Sequence, residues 1–173
     1  LDEALEAARS LTAELSPSIL HDAGLGPALH WLGGWVRDNY NLRVTVQTPD
    51  TCDAPPIPED IGALLFHSSR ELLFNVVKHA GVQEASIQLS YPTENSICVT
   101  VTDQGRGLDA TDARGASARG FGLFSIRERL AYAGGRLEVQ SEPGQGMRVR
   151  MTLPMSEAPR AAIPVQEIVA PGP

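Results

Sequence analysis

One stretch of the chain places four polar side chains, suited to holding a metal ion and a phosphate, at helical spacing. In RELLFNVVKHA (70–80) they recur at i, i+4, i+7 and i+8, which puts them on one helix stripe: Glu71, Asn75, Lys78 and His79. Carboxylate and amide oxygens are ligands that Mg2+ accepts, and the lysine adds a cation. The opposite stripe is apolar and should be buried; it consists of Leu72, Leu73, Val76 and Val77. Taken alone, such a short pattern is more typical of the solvated face of an ordinary amphipathic helix.

A second motif joins a carboxylate to two glycines at the end of a predicted strand. In VTDQGRGLD (101–109), an apolar run leads directly to Asp103, followed by Gly105 and Gly107. A carboxylate there can accept a hydrogen bond from the exocyclic amine of a purine, and glycines let the backbone approach the ring. On its own the motif is weak, because clusters of glycine and aspartate mostly form turns.

A third motif places two glycines before a predicted helix. In RGFGLFSIRERL (119–130), Gly120 and Gly122 precede the helix, whose free N–H groups and positive dipole end could receive a phosphate. Glycines in this position also commonly just make the turn into a helix. The pattern is not that of a dinucleotide-binding fold, which requires a preceding parallel strand.

The elements that must position these motifs follow from hydrophobic periodicity. Three- and four-residue steps predict helices, and alternation predicts strands. Adjacent strands joined by tight turns indicate a mostly antiparallel sheet with helices on one face, an α+β, two-layer α/β sandwich. We expect a mobile loop over 103–120 and a disordered Pro/Ala-rich tail beyond 154. The predicted helices are 1–15, one starting at Pro27, 59–80 and 121–133, and the predicted strands are 41–48, 84–91, 96–102, 136–141 and 146–153.

Composition narrows the class of protein. The chain has 14 Lys+Arg against 21 Asp+Glu, a net charge of −7, which argues against nucleic-acid or anionic-membrane binding. No apolar run approaches the roughly 20 residues of a membrane span. Cys52 and Cys98 lack metal-site spacing, so we expect two free thiols in a reducing, cytoplasmic compartment. The chain opens at Leu1 in a helical pattern, as expected of a fragment, and its parent could still be anchored in a membrane.

The order of the three motifs carries a family resemblance. The chain resembles the ATP-binding catalytic domain of sensor histidine kinases, in the GHKL superfamily with its Bergerat-type fold, which also includes gyrase and mismatch-repair ATPases. It is most similar to the nitrate-responsive and desaturase-controlling kinases, which show ELLxNxxKHA and GLxxxRERLxxxGGxLxxxSxPGxGxxVxxxLP. Residues 122–154 follow the second pattern nearly throughout, and the resemblance covers about residues 1–154.

The resemblance implies a catalytic and metal-binding role for two residues of the first motif. Asn75 would be the Mg2+ ligand, and Glu71 would orient the metal or a water molecule. Lys78 would contact phosphate, and His79 would line the nucleotide pocket.

The resemblance also implies an ATP pocket around the second and third motifs. Asp103 would read the adenine amine, Thr152 would sit behind the adenine, and residues 108–119 would form a lid. Arg114 or Arg119 would contact phosphate. The remaining positions that would line the pocket or hinge the lid are Gly105, Gly107, Leu108, Gly120, Phe121, Gly122 and Leu123. Met147 stands where the family commonly has Thr or Ser.

The implied organisation is the end of a dimerisation helix with a hinge (1–26), a catalytic domain (27–154) and a tail (155–173). The implied reaction moves the ATP γ-phosphoryl group to a histidine outside this chain, for relay to a response regulator. Partners would be ATP, a receiver domain and the protein's own dimerisation domain in a homodimer. Two alternatives stay open: a gyrase-type ATPase with Glu71 as general base, and an anti-sigma-type serine kinase or regulatory ATP-binding module.

A histidine–aspartate pair, His21-Asp22, occurs in SPSILHDAGL (16–25) and raises the question of a phosphoacceptor. Pro17 precedes it, and Gly24, Gly26 and Pro27 follow, so we expect His21 in a break between helices. A phosphoacceptor needs an exposed face of a long helix. The sequence therefore predicts a connector here, with the acceptor elsewhere.

Overall fold

Five strands form one mixed sheet, and the helices cover one of its faces. The computed structural model describes residues 17–49, 55–108 and 118–155. The helices are α1 (Pro17–Ala23), α2 (Leu25–Tyr40), α3 (Glu59–Asn75), which continues into a π-helical turn (Val76–Ala80), and α4 (Ala118–Tyr132). The strands are β1 (Arg43–Gln47), β2 (Glu84–Thr93), β3 (Ser96–Asp103), β4 (Arg136–Ser141) and β5 (Met147–Pro154). The predicted α+β, two-layer architecture is confirmed.

The strand order is β1-β2-β3-β5-β4. β1 pairs with β2 in parallel, and every other pairing is antiparallel, as the tight turns predicted. Alternation along each strand sends one set of side chains into the core beneath the helices. On the two central strands that set is Ile97, Val99, Val101, Val149, Met151 and Leu153, all buried.

Some predicted features lie outside the described residues, and others can be compared with the structure. The helix predicted over 1–15, the tail from 156, Cys52 and Arg114 all lie outside. Cys98 is a buried free thiol on β3, as predicted. None of the described helices combines the length and the hydropathy that a membrane-spanning segment needs.

The prediction that His21 lies in a break between helices is wrong. His21 lies inside α1, because a proline in the first turn of a helix removes no intrahelical hydrogen bond. The break comes three residues later, at Gly24, which adopts a φ of 82°. The Gly24 N–H donates to the Leu20 carbonyl at 3.0 Å and closes α1.

α2 begins at Leu25, two residues before the predicted start, and lies directly on β1. The contact depends on Gly33, since a Cβ there would lie 3.0 Å from Val46 Cγ2. A Cβ on the neighbouring Gly34 would meet nothing within 4 Å. Gly33 therefore sets how closely the helix approaches the sheet, whereas Gly34 faces open space.

The long helix predicted over 59–80 is confirmed in extent, but its last turn is not α-helical. α3 ends at Asn75, the π turn follows, and Gly81, with a φ of 73°, stops the chain in the left-handed conformation. Of the predicted apolar stripe, Leu72, Leu73 and Val76 are buried, whereas Val77 is only partly buried. Hydrophobic periodicity does not predict this π turn.

The loop predicted over 103–120 is shorter than expected at both ends. Asp103 is the last residue of β3, and α4 begins at Ala118 instead of 121. Gly120 and Gly122 therefore lie within the first two turns of the helix and do not precede it. Burial of Leu123, Ile126 and Leu130, at three- and four-residue steps, favours the helix despite the propensity cost of its glycines. Residues 109–117 lie outside the described part.

The two glycines of α2 form a matched pair for a stability test. Gly34→Ala should raise the free energy of unfolding by about 0.5–1 kcal/mol, because alanine loses less entropy in a helix. Gly33→Ala gains the same helix propensity but must displace Val46. Its free energy of unfolding should therefore be about 1 kcal/mol or more below that of Gly34→Ala. Urea denaturation followed by circular dichroism measures both. Equal stabilisation by the two substitutions would contradict the close contact between α2 and β1.

Candidate functional site

Glu71 and Asn75 lie one turn apart near the end of α3, facing α4. The Nδ2 atom of Asn75 is buried and has no hydrogen-bond partner among the described residues. A Cβ at Gly122 of α4 would lie 3.1 Å from Glu71 Oε1 and 3.6 Å from that Nδ2 atom. The two polar groups therefore converge on one point of the α4 backbone. A glycine at that point lets the helix come close.

The π turn changes the second half of the first motif. Lys78 is exposed and His79 is half-buried, and both lie within the π turn. A π turn has a wider hydrogen-bond pattern than an α-helix, so residues within it rotate relative to those before it. The single-stripe argument therefore holds for Glu71 and Asn75 but does not carry through to Lys78 and His79. Such turns are frequent at functional sites.

Asp103 is a buried carboxylate at the carboxyl end of β3. It is 3% exposed, and its Oδ1 accepts a hydrogen bond from the Gly105 N–H at 2.8 Å. Its partner across the sheet is Met147, also buried, so the two side chains share the inner face. A carboxylate held in this way keeps a second oxygen that can accept a hydrogen bond from a ligand.

Two backbone hydrogen bonds, from Arg106 to Ala80 and from Gly144 to Arg106, form what we call the backbone joint. This joint fixes Asp103 relative to the end of the π turn. The Arg106 N–H donates to the Ala80 carbonyl at 3.0 Å. A Cβ at Gly105 would collide with the same carbonyl, so only glycine permits this approach. The loop that follows Asp103 is thereby attached to the helix that carries Asn75.

The turn between β4 and β5 completes this joint. The Gly144 N–H donates to the Arg106 carbonyl at 2.7 Å. Ser141 accepts a hydrogen bond from the Leu108 N–H at 2.9 Å and donates its hydroxyl to the Gly146 carbonyl at 2.7 Å. The sequence-based prediction assigns no role to Ser141, although its place in SEPGQG (141–146) is a usable signal. The joint therefore links three separate segments around Asp103.

The structure does not bring Thr152 to this site, which corrects the prediction that it lies behind an adenine. Thr152 pairs with Cys98 and with Arg136, on the sheet face away from the helices. Asp103 pairs with Met147, and positions 147 and 152 differ by an odd number, so their side chains point to opposite faces. On β5 it is Met147 that lies beside Asp103.

Glu71 forms an ion pair that the sequence did not predict. Its Oε2 lies 2.5 Å from Arg129 Nη2 on α4, 58 residues away in the chain. The signal was the RERL segment, which matched the family pattern but carried no assigned role. The pair connects the helix after the glycine motif to the helix that carries Asn75.

Of the other predicted pocket residues, the structure describes the side chains of some and only the backbone of others. Leu108 is half-buried and Leu123 is buried, and both pack with the core. Arg119, Gly120 and Phe121 lie in the first turn of α4, and their side chains are outside the described part. Two clefts are present: one of about 490 Å3 between α1, α2 and the start of α3, and an open groove of about 710 Å3 between α3 and α4, lined in part by Arg129. Neither includes Asp103 or Asn75, so the polar groups, not the size of a cleft, identify the site.

The residues present fit a nucleotide with a divalent cation. The buried Asn75 amide lacks an acceptor, and a buried donor of this kind costs free energy until an oxygen meets it. The Asn75 carbonyl and the Glu71 carboxylate offer oxygen ligands. Asp103 offers an acceptor beside a backbone that is open to close approach. Among the described residues, no group of three His, Cys, Asp or Glu side chains could hold a metal ion by itself.

The chain is similar in sequence to curated sensor histidine kinases. The chain is 34% identical over 156 residues to the sensor histidine kinase NarS of Mycobacterium tuberculosis, covering 90% of this chain and 35% of that protein. It is 31% identical over 151 residues to the oxygen sensor histidine kinase NreB of Staphylococcus carnosus, covering 86% of this chain and 42% of that protein. The chain thus spans less than half the length of these curated relatives.

Solved structures agree on the fold. The histidine kinase domain of the blue-light activated kinase EL346 of Erythrobacter litoralis superposes with a TM-score of 0.66 at 22% identity, covering 86% of this chain and 74% of that one. A family model described as histidine kinase-, DNA gyrase B- and HSP90-like ATPase matches residues 61–157. That match spans more than half of the chain, which therefore belongs to this ATPase family.

Proposed function

We propose that this chain is the ATP-binding catalytic part of a two-component sensor histidine kinase. The observation that carries the proposal is the backbone joint, which holds the buried Asp103 carboxylate against the end of the helix that bears Asn75. The carboxylate proposed to recognise adenine, Asp103, and the side chain proposed to bind the metal, Asn75, are thus held at a fixed separation. The similarity to NarS and NreB supports the kinase over other members of the family.

Asp103 is proposed to select adenine. One carboxylate oxygen is occupied by the Gly105 N–H, which fixes the orientation of the group. The other oxygen can accept a hydrogen bond from the exocyclic amine of adenine. Because Gly105 and Gly107 carry no side chain, the purine can approach the backbone at this point.

Asn75 and Glu71 are proposed to hold Mg2+. A bound Mg2+ would neutralise phosphate charge, and phosphate oxygens and water would supply its remaining ligands. Lys78 would add a cation on the phosphate side, and His79 would line the pocket. The chain's own contribution is therefore mainly to orient the nucleotide, since phosphoryl transfer needs little covalent help from the protein.

The phosphoacceptor histidine is proposed to lie outside this chain. His21 is in a helix of only seven residues, and its Nδ1 lies 3.3 Å from Oε1 of Glu59, the first residue of α3. It therefore contacts the same unit that would bind ATP. Residues 1–26 are proposed as the connection to a dimerisation domain, 27–154 as the catalytic domain and 155–173 as a tail. A receiver domain would take the phosphoryl group from the distant histidine.

Substitution of Asn75 tests the metal site. Asn75→Ala should abolish Mg2+-dependent ATP binding, because it removes the amide at the point where α3 and α4 meet. Isothermal titration calorimetry with ATP, with and without Mg2+, measures the effect. Gln88→Ala, on the exposed face of β2, is the matched control and should bind like the unaltered chain. Unaltered affinity in Asn75→Ala would contradict the site.

Incubation with γ-labelled ATP tests the location of the acceptor. The chain should bind ATP without acquiring an acid-labile phosphate, because His21, in the proposed connection, lies in a short helix against Glu59. His21→Ala should behave identically. Labelling of the unaltered chain that disappears in His21→Ala would overturn this assignment and make His21 the acceptor.

A further inference from the structure

We infer that Arg129 is a positioning residue that fixes the Glu71 carboxylate for its work on the metal. The inference rests on the proposed function, because the role of Glu71 is itself proposed. It gives a role at the site to Arg129 of α4, a residue of the third motif segment to which the sequence analysis assigns none. The argument depends on how the two oxygens of Glu71 are held.

The first contact is the ion pair itself. Arg129 Nη2 lies 2.5 Å from Glu71 Oε2, and Arg129 Nε donates to the Ser125 carbonyl at 3.3 Å. Helical side chains lean toward the N-terminus of their helix, and the bond to Ser125, one turn earlier, holds Arg129 in that direction. The hydrogen bond to its own helix therefore orients the guanidinium toward the carboxylate.

The second contact is with the backbone of the same helix. Gly122 precedes Arg129 by seven residues, so the two lie on one face of α4. The Cβ position of Gly122 is 3.1 Å from Glu71 Oε1 and 3.6 Å from Asn75 Nδ2. One oxygen of Glu71 thus meets Arg129, and the other lies beside Gly122, toward Asn75. The carboxylate is oriented from both sides by α4.

Other charged groups near Glu71 do not replace Arg129. Burial, and then the charges of Arg70 and Arg129, lower the pKa of His67, so this imidazole is a poor cation near neutral pH. Arg70 lies on the same helix as Glu71, and its Nη1 is buried without a partner among the described residues. No ion pair joins it to Glu71 among the described residues. Arg129 is the cation that the structure places on this carboxylate.

The consequence for the reaction is a preoriented metal ligand. Partners that orient a ligand without touching the metal typically change metal affinity by about 10- to 100-fold when removed. Glu71 is about one-third exposed, so without Arg129 its side chain would regain rotational freedom and turn toward solvent. The loss should appear in the Mg2+-dependent part of ATP binding, while adenine recognition at Asp103 should stay intact.

The test compares ATP binding by the full 173-residue chain and by five variants of it across a Mg2+ titration. Arg129→Gln should raise the Mg2+ concentration needed for half-maximal ATP binding by about tenfold and leave Mg2+-free ATP binding unchanged. Arg129→Lys should recover part of the loss. In a Glu71→Gln background, adding Arg129→Gln should not change the required Mg2+ concentration further, because Arg129 acts through Glu71. Circular dichroism checks that each variant is folded.

Arg127→Gln is the matched control, since Arg127 is exposed on the same helix. It should leave both kinds of binding unchanged. If Arg129→Gln behaves like Arg127→Gln, or lowers ATP affinity equally with and without Mg2+, the inference is overturned while the proposed function stands. An equal loss in the Glu71→Gln background would also overturn it, since Arg129 would then act by another route. If the unaltered chain fails to bind ATP, the proposed function fails, and the inference fails with it.

Discussion

The hydrogen bond between the Arg106 N–H and the Ala80 carbonyl is the interaction on which the site depends. It joins the last turn of the helix that carries Asn75 to the loop that follows Asp103. The joint forms only because Gly105 has no Cβ to collide with that carbonyl. Two groups about 28 residues apart in the chain are therefore held in one rigid arrangement, before any nucleotide arrives.

The same joint explains why the β4–β5 turn contributes to the site. Gly144 bonds to the Arg106 carbonyl, and Ser141 bridges Leu108 and the Gly146 carbonyl. A Cβ at Gly146 would collide with the Asp103 carbonyl, so this turn also lies directly against the strand end. The residues that the family pattern describes as SxPGxG are thus structural supports for Asp103. α4 makes a separate set of contacts, through Gly122 and Arg129, with Glu71 and Asn75.

Much of this arrangement could be predicted, because burial leaves a periodic signal in the sequence. The stripe of Leu72, Leu73 and Val76 fixed which face of α3 is buried, and alternation in β3 placed Asp103 at a strand end. The π turn could not be predicted, because it depends on which carbonyl each N–H selects, and side-chain periodicity does not report that. The ion pair between Glu71 and Arg129 joins distant segments, so only the packed structure reveals it.

The two wrong predictions have local physical causes. The prediction for Thr152 rests on analogy, but strand side chains alternate, so two residues an odd number of positions apart on β5 point to opposite faces of the sheet. Met147 occupies the inner face beside Asp103 instead. For His21, the sequence showed the helix-breaking residues but not which of them breaks the chain. Gly24, with its positive φ, is the one that does.

The central claim is that Asp103 reads the amine of adenine at a site built around Asn75. The most direct measurement compares the affinity of the chain for ATP and for inosine triphosphate, which has an oxygen in place of that amine. The account predicts that ATP binds about tenfold or more tightly, and that Asp103→Asn loses the preference. Equal affinity for the two nucleotides, or a preference that survives in Asp103→Asn, would contradict it.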